Sequence, residues 1–154
     1  MLMVRRGMVV VAAVIAIGCG RGDGLKRAPI TGVLTVDGAP VAGASLQFFP
    51  KGGTPGDGAL GVSDANGKFE VISSRRGDTG IPPGEYAVMV SLLADPDGTP
   101  LSAEATQADH PFAQETVPPP YSGADSPLKV TITEQGGEVK VEIPAKLRKP
   151  KGKS

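Results

Sequence analysis

The chain has 154 residues with 16 Lys and Arg against 16 Asp and Glu, so its formal charge is zero and it lacks the basic field that draws proteins to nucleic acid. Its 22 glycines and 15 prolines exclude a continuous helical domain, because an interior Gly costs about 1 kcal/mol and an interior Pro about 3 kcal/mol in a helix. A single cysteine excludes an internal disulfide, and four Phe, two Tyr and no Trp predict a small core built from Val, Ile and Leu.

At the N-terminus, Arg5 and Arg6 precede the apolar run Met8–Ile17, which ends in Gly18-Cys19. A positive segment, a short apolar stretch and a small residue before a cleavage point describe a secretory signal. At about 1.5 Å per residue the run is too short to cross a ~30 Å hydrocarbon core as a helix. Ala16-Ile17-Gly18-Cys19 resembles the lipobox of bacterial lipoprotein signals, with Ala16 where that pattern favours Leu. The resemblance implies that residues 1–18 are a signal peptide, that Cys19 carries the lipid, and that the protein is anchored in the bacterial envelope, in the periplasm or at the cell surface. Lipidation also accounts for the odd cysteine, which would otherwise be a free thiol in an oxidising compartment.

Residues 19–29 are Gly-rich and polar and read as the lipidated cysteine with a flexible tether. From Ile30 the apolar period becomes two, which predicts strands. Residues 31–36 form the first, closed by Asp37-Gly38, where glycine supplies the positive φ of a tight turn. Residues 41–49 form the second, with Ala44, Leu46 and Phe48 on one face, and Pro50 is expected to end it. Asp64-Ala-Asn-Gly67 between 59–63 and 68–72 reads as a hairpin turn, and 86–92 is a further strand behind the Ile81-Pro-Pro-Gly84 corner.

The proline-broken stretch from Asp95 to Tyr121 is expected to be a mobile excursion with a short helical turn near Ser102 to Gln107. The pattern resumes at 128–133 and 138–143, which Gln135-Gly136-Gly137 joins as a last hairpin. Residues 145–154 read as a basic disordered tail with Lys146, Arg148, Lys149, Lys151 and Lys153.

Val33 to Phe48, Ser63-Asp-Ala-Asn-Gly-Lys-Phe69 and Ile81 to Val90, in that order, resemble the carboxypeptidase regulatory-like domain. The resemblance covers residues 30–144 and implies a single all-β, transthyretin-like seven-stranded β-sandwich. It brings no catalytic set. The transthyretin-like hydroxyisourate hydrolases use several histidines and an arginine, and this chain has only His110.

The remaining side chains offer little chemistry. A hydrolase centred on His110 would need a hydroxyl and a carboxylate around the imidazole, with Ser122, Ser126 and Asp109 available in sequence. One His cannot assemble a zinc site, and Asp57, Asp64 and Asn66 lack the rest of a calcium loop. No catalytic residue, metal or cofactor is therefore expected. The leading expectation is a non-enzymatic envelope lipoprotein that displays an interaction or structural module to an envelope protein or polysaccharide. The alternative is a carbohydrate- or peptide-binding accessory domain, which demands an exposed aromatic platform.

Overall fold

The computed structural model of the chain describes residues 23–75, 78–106 and 108–152; the expected signal and lipobox, with Cys19, lie outside the described residues. Eleven strand segments follow in order: β1 (Ile30–Val36), β2 (Ala39–Pro40), β3 (Ser45–Lys51), β4 (Ala59–Val62), β5 (Lys68–Glu70), β6 (Ile72–Ser73), β7 (Gly84–Ser91), β8 (Leu93–Ala94), β9 (Gln114–Glu115), β10 (Lys129–Ile132) and β11 (Gly137–Ile143). Seven of them have three or more residues, the number expected, and no helix occurs among the described residues. One sheet runs β11-β1-β2 with β5 also paired to β1, the other runs β10-β7-β3-β4-β6, and β8-β9 is a small separate ribbon. The fold is an all-β sandwich.

Alternation explains what lies between the sheets. Leu34 and Val36 of β1, Val141 and Ile143 of β11 and Phe69 of β5 point inward from one sheet. Leu46 and Phe48 of β3 and Tyr86, Val88 and Val90 of β7 meet them from the other. Each such side chain contributes on the order of 1.5–3 kcal/mol by leaving water. The Phe48 and Phe69 rings touch across the two sheets, with centroids 6.1 Å apart and planes at 47°.

Strand β1 is the hub. It runs parallel to β11 from Ile30 beside Gly137 to Val36 beside Ile143, while β5 and β2 share its other edge. It closes through Asp37 and Gly38, which both adopt positive φ, 51° and 78°, so the expected tight turn is present. Tyr86 is buried, and its hydroxyl donates to the Pro82 carbonyl at 2.8 Å, which pins the Ile81–Gly84 corner to the start of β7.

Several sequence expectations are corrected. Asp64–Gly67 is not a hairpin turn between paired strands, because β4 pairs with β3 and β6 whereas β5 pairs with β1. The turn itself closes as its residues predict, with the Asp64 carboxylate accepting from the Asn66 and Lys68 amides at 2.8 and 2.9 Å. It then delivers the chain to the opposite sheet. Gln135–Gly137 does the same, since β10 pairs antiparallel with β7 and β11 pairs parallel with β1. Pro50 does not end β3, which continues to Lys51; the proline sits where β4 no longer runs alongside, so its missing N–H interrupts no ladder there.

Both flanks are more ordered than their composition suggests. Within the expected tether, Ala28 exchanges two backbone hydrogen bonds with Ile81 at 2.9 and 3.0 Å and is buried in the core. In the expected disordered tail, Ala145 and Leu147 pack on the core, and the Arg148 amide donates to the Thr116 carbonyl at 2.7 Å. The Lys151 amide and carbonyl both bond the Gln114 side chain at 3.0 Å. Isolated apolar residues in polar surroundings suffice to dock these segments because the sandwich leaves backbone groups and core surface for them to meet.

Two measurements check this packing. At Gly32 an added Cβ would lie 2.3 Å from the Phe69 ring and 2.6 Å from the Val139 carbonyl oxygen, and that backbone cannot swing away. Gly32→Ala is expected to lower unfolding free energy in urea by about 1–3 kcal/mol. Burial lifts the Tyr86 phenol from 10.0 to about 12, opposed by the nearby Arg27 charge. A raised folded value favours the protonated form, so this stabilisation is whole below pH 10 and is lost as pH rises through about 12. Ultraviolet titration should show one late-ionising tyrosine that disappears in Tyr86→Phe.

Candidate functional site

Strand direction sorts the loops into two ends. Ile30 lies beside Gly137, Ile132 opposite Gly84 and Lys51 opposite Glu85, so residues 23–29, 52–58, 78–83 and 133–136 gather at one end, here the proximal end. Val36 lies beside Ile143 and Ser45 opposite both Val62 and Ser91. The turns at 37–44 and 63–67, the described residues of the 92–117 excursion and the C-terminal segment therefore gather at the other, distal end.

The excursion is built around one carboxylate. Glu115 accepts from the Ser91 hydroxyl at 2.6 Å, the Leu92 amide at 3.0 Å and the Val117 amide at 2.8 Å. Thr116 adds an Oγ1 bond to the Leu92 carbonyl at 2.7 Å. These contacts clasp the return of the excursion to the end of β7, and Leu101 and Val117 are buried beneath it. The segment expected to be mobile is thus fastened at its base, and the described part of the expected helical turn, 102–106, holds a hydrogen-bonded turn, Ala105 to Ser102 at 3.0 Å, and no helix, Gln107 lying outside the described residues.

Between this excursion and the C-terminal segment lies a groove of about 500 Å³. Leu92, Ala94, Pro100 and Leu147 give it apolar walls, and Asp97, Arg148 and Lys149 give it charge. Arg148 is positioned by its guanidinium, which donates to the Glu115 and Val117 carbonyls at 3.0 and 3.4 Å. A hydrogen bond from the Thr99 amide at 2.8 Å holds the Asp97 carboxyl below the usual carboxylate range. A groove of this size, mostly apolar with a few oriented charges, is suited to an amphipathic segment or small ligand.

The residues singled out from sequence are dispersed. The imidazole of His110 meets Asp95, Nδ1 to Oδ2 at 2.9 Å, and not Asp109, which instead accepts from the Thr106 hydroxyl at 2.5 Å. Ser126 is buried, and its hydroxyl accepts from the Leu128 amide at 3.3 Å. No serine hydroxyl bonds His110 among the described residues, nor do three His, Cys, Asp or Glu side chains gather there into a metal-binding group. Tyr86, Phe48 and Phe69 are in the core, and Phe112 is the one aromatic among the exposed large apolar residues, at 59 % exposure. Glu115 and Leu147, which shape the groove, were not legible from sequence. A lone Glu in a polar loop and a lone Leu in a basic run carry no periodic signal.

No family model and no curated protein matches the chain. Among solved structures, a DUF3823 family protein from Parabacteroides merdae is similar at a TM-score of 0.39 and 17 % identity, over 77 % of this chain and 46 % of that one. A 9R-lipoxygenase from Cyanothece is similar at a TM-score of 0.38 and 19 % identity, over 78 % of this chain and 17 % of that one. The chain spans less than half the length of either protein. Likeness at this level assigns no chemistry.

Removal of the clasp is the local test. Glu115→Ala leaves three donors without their acceptor and is expected to cost on the order of 1–3 kcal/mol in urea unfolding. Limited proteolysis should then cut faster within 96–113, with Glu115→Gln intermediate.

Proposed function

We propose that the chain is an exported, non-enzymatic lipoprotein whose carboxypeptidase regulatory-like sandwich presents the distal groove to a partner in the bacterial envelope. In this reading residues 1–18 direct export and Cys19 holds the membrane through its lipid. One observation carries the proposal. The backbone leading from Cys19 joins the sandwich at the proximal end, while the groove formed by the excursion and the C-terminal segment opens at the distal end. Such polarity suits a module held at one end and read at the other.

A protein segment fits the distal groove better than a sugar. Stacking a pyranose calls for a flat aromatic platform, and Phe112 alone does not make one. Apolar walls with Arg148, Lys149 and Asp97 at hand suit an amphipathic polypeptide.

The test is intact mass and membrane fractionation of the native protein beside Cys19→Ala. The native form is expected to begin at an acylated Cys19 and to sediment with membranes, and the variant to remain uncleaved or leave them. If native and variant are both unlipidated and soluble, the anchored reading is wrong.

A further inference from the structure

The segment that leads from Cys19 to the sandwich is fastened long before β1 begins. The Asp23 carboxylate grips the Arg27 guanidinium with two bonds, at 2.5 and 2.9 Å, and also accepts from the Leu25 amide at 3.0 Å. Arg27, with only 10 % of its side chain exposed, reaches Asp78 at 3.2 Å. Arg75 closes the cluster at 3.5 Å from Asp23 and 3.6 Å from Asp78. A bidentate arginine–carboxylate pair with most of the arginine side chain covered fixes its geometry better than a single surface contact does. The Arg27 hydrogen bonds and the Leu25 amide hold the Asp23 carboxyl well below the usual carboxylate range, so Asp23 stays ionised opposite Arg27 at any physiological pH.

The cluster sets the reach of the anchor. From Cys19 to Asp23 there are four residue steps, at most about 14 Å of chain at 3.3–3.6 Å per residue. If the chain were free up to Ile30, the span would be about 38 Å. The sandwich itself is about 20 Å tall along β1, at about 3.3 Å per residue. A body taller than its tether cannot swing clear of the surface to which it is tied.

We propose that the Asp23–Arg27–Asp78–Arg75 cluster makes the tether a short strut that seats the proximal end of the sandwich on phospholipid headgroups and holds the distal groove away from the bilayer. This rests on the reading that Cys19 carries the lipid. The seated surface is the shallow hollow between Leu25, Lys26, Pro55, Pro83 and Glu134. Its exposed charges, Lys26 and Glu134, are of opposite sign, so the surface meets a zwitterionic headgroup layer without strong repulsion and the tether supplies the attachment.

The experiment uses the mature full-length protein in phosphatidylcholine vesicles that contain a headgroup-labelled acceptor lipid. A donor dye is attached at Asp57→Cys, at the proximal end, or at Ala39→Cys, at the distal end. A lipidated Cys19 has no free thiol, so the introduced cysteine takes the dye alone. Energy transfer to the lipid is expected to be several-fold stronger from position 57 than from position 39. Arg27→Ala should bring the two closer together, and so should a ten-residue Gly-Ser insertion after Gly22, which lengthens the tether without touching the fold. Equal transfer from both positions in the parent, or no response to the insertion, would overturn the proposal. A parent that fails to bind vesicles and takes up dye at Cys19 overturns the lipid reading itself, and the seating with it.

Discussion

The pairing of β1 with β11 is the constraint on which the rest of the molecule depends. The first long strand and the last run side by side and in the same direction over seven residues, so everything between them must be laid down before either has its full set of partners. A parallel pair cannot be closed by a tight turn. The intervening chain therefore crosses between the sheets, and its two most turn-like segments, 64–67 and 135–137, serve those crossings. Contacts this distant in sequence imply a slow, cooperative search for the native state. They also decide the polarity of the molecule, because parallel strands put the N-terminal approach and the C-terminal departure at opposite ends.

Between those ends, order comes from side chains that satisfy backbone groups where no ladder reaches. Glu115 does this for the return of the excursion, the Gln114 amide for Lys151, and Asp64 for its own turn. At the proximal end Thr54 does it for Glu85, accepting from its amide at 2.9 Å and donating to its carbonyl at 3.1 Å. Each of these contacts adds little net stability on its own, yet leaving the same groups buried and unpaired would cost more. A small core with few aromatics can thus carry long irregular connections without letting them float.

What the sequence discloses follows from what is periodic in it. The faces of β3 and β11 were legible because Leu46 and Phe48, like Val139, Val141 and Ile143, recur at every second position. The Asp37-Gly38 turn was legible because its backbone geometry admits few residues. Sheet membership was not, since an inward-facing strand satisfies the same alternation whether it continues in its own sheet or crosses to the other. The groove was not legible either. Glu115 bonds residues 23 and 24 positions away, and Leu147 packs on the core as a lone apolar residue that the surrounding basic run hides. The expected export signal is the reverse case, read from a charged and apolar pattern in residues that lie outside those described.

The opposed placement of the two ends bears on mechanics. Tension between an N-terminal hold and a load on the C-terminal segment runs along β1 and β11 and pulls these parallel neighbours past each other in shear. In shear, the hydrogen bonds of the whole seven-residue ladder share the force and must fail together, whereas a hairpin pulled from its open end fails one bond at a time. Lifetime under load is governed by the unfolding rate, not by equilibrium stability. The arrangement lets a domain of modest core bear a pull between its two ends.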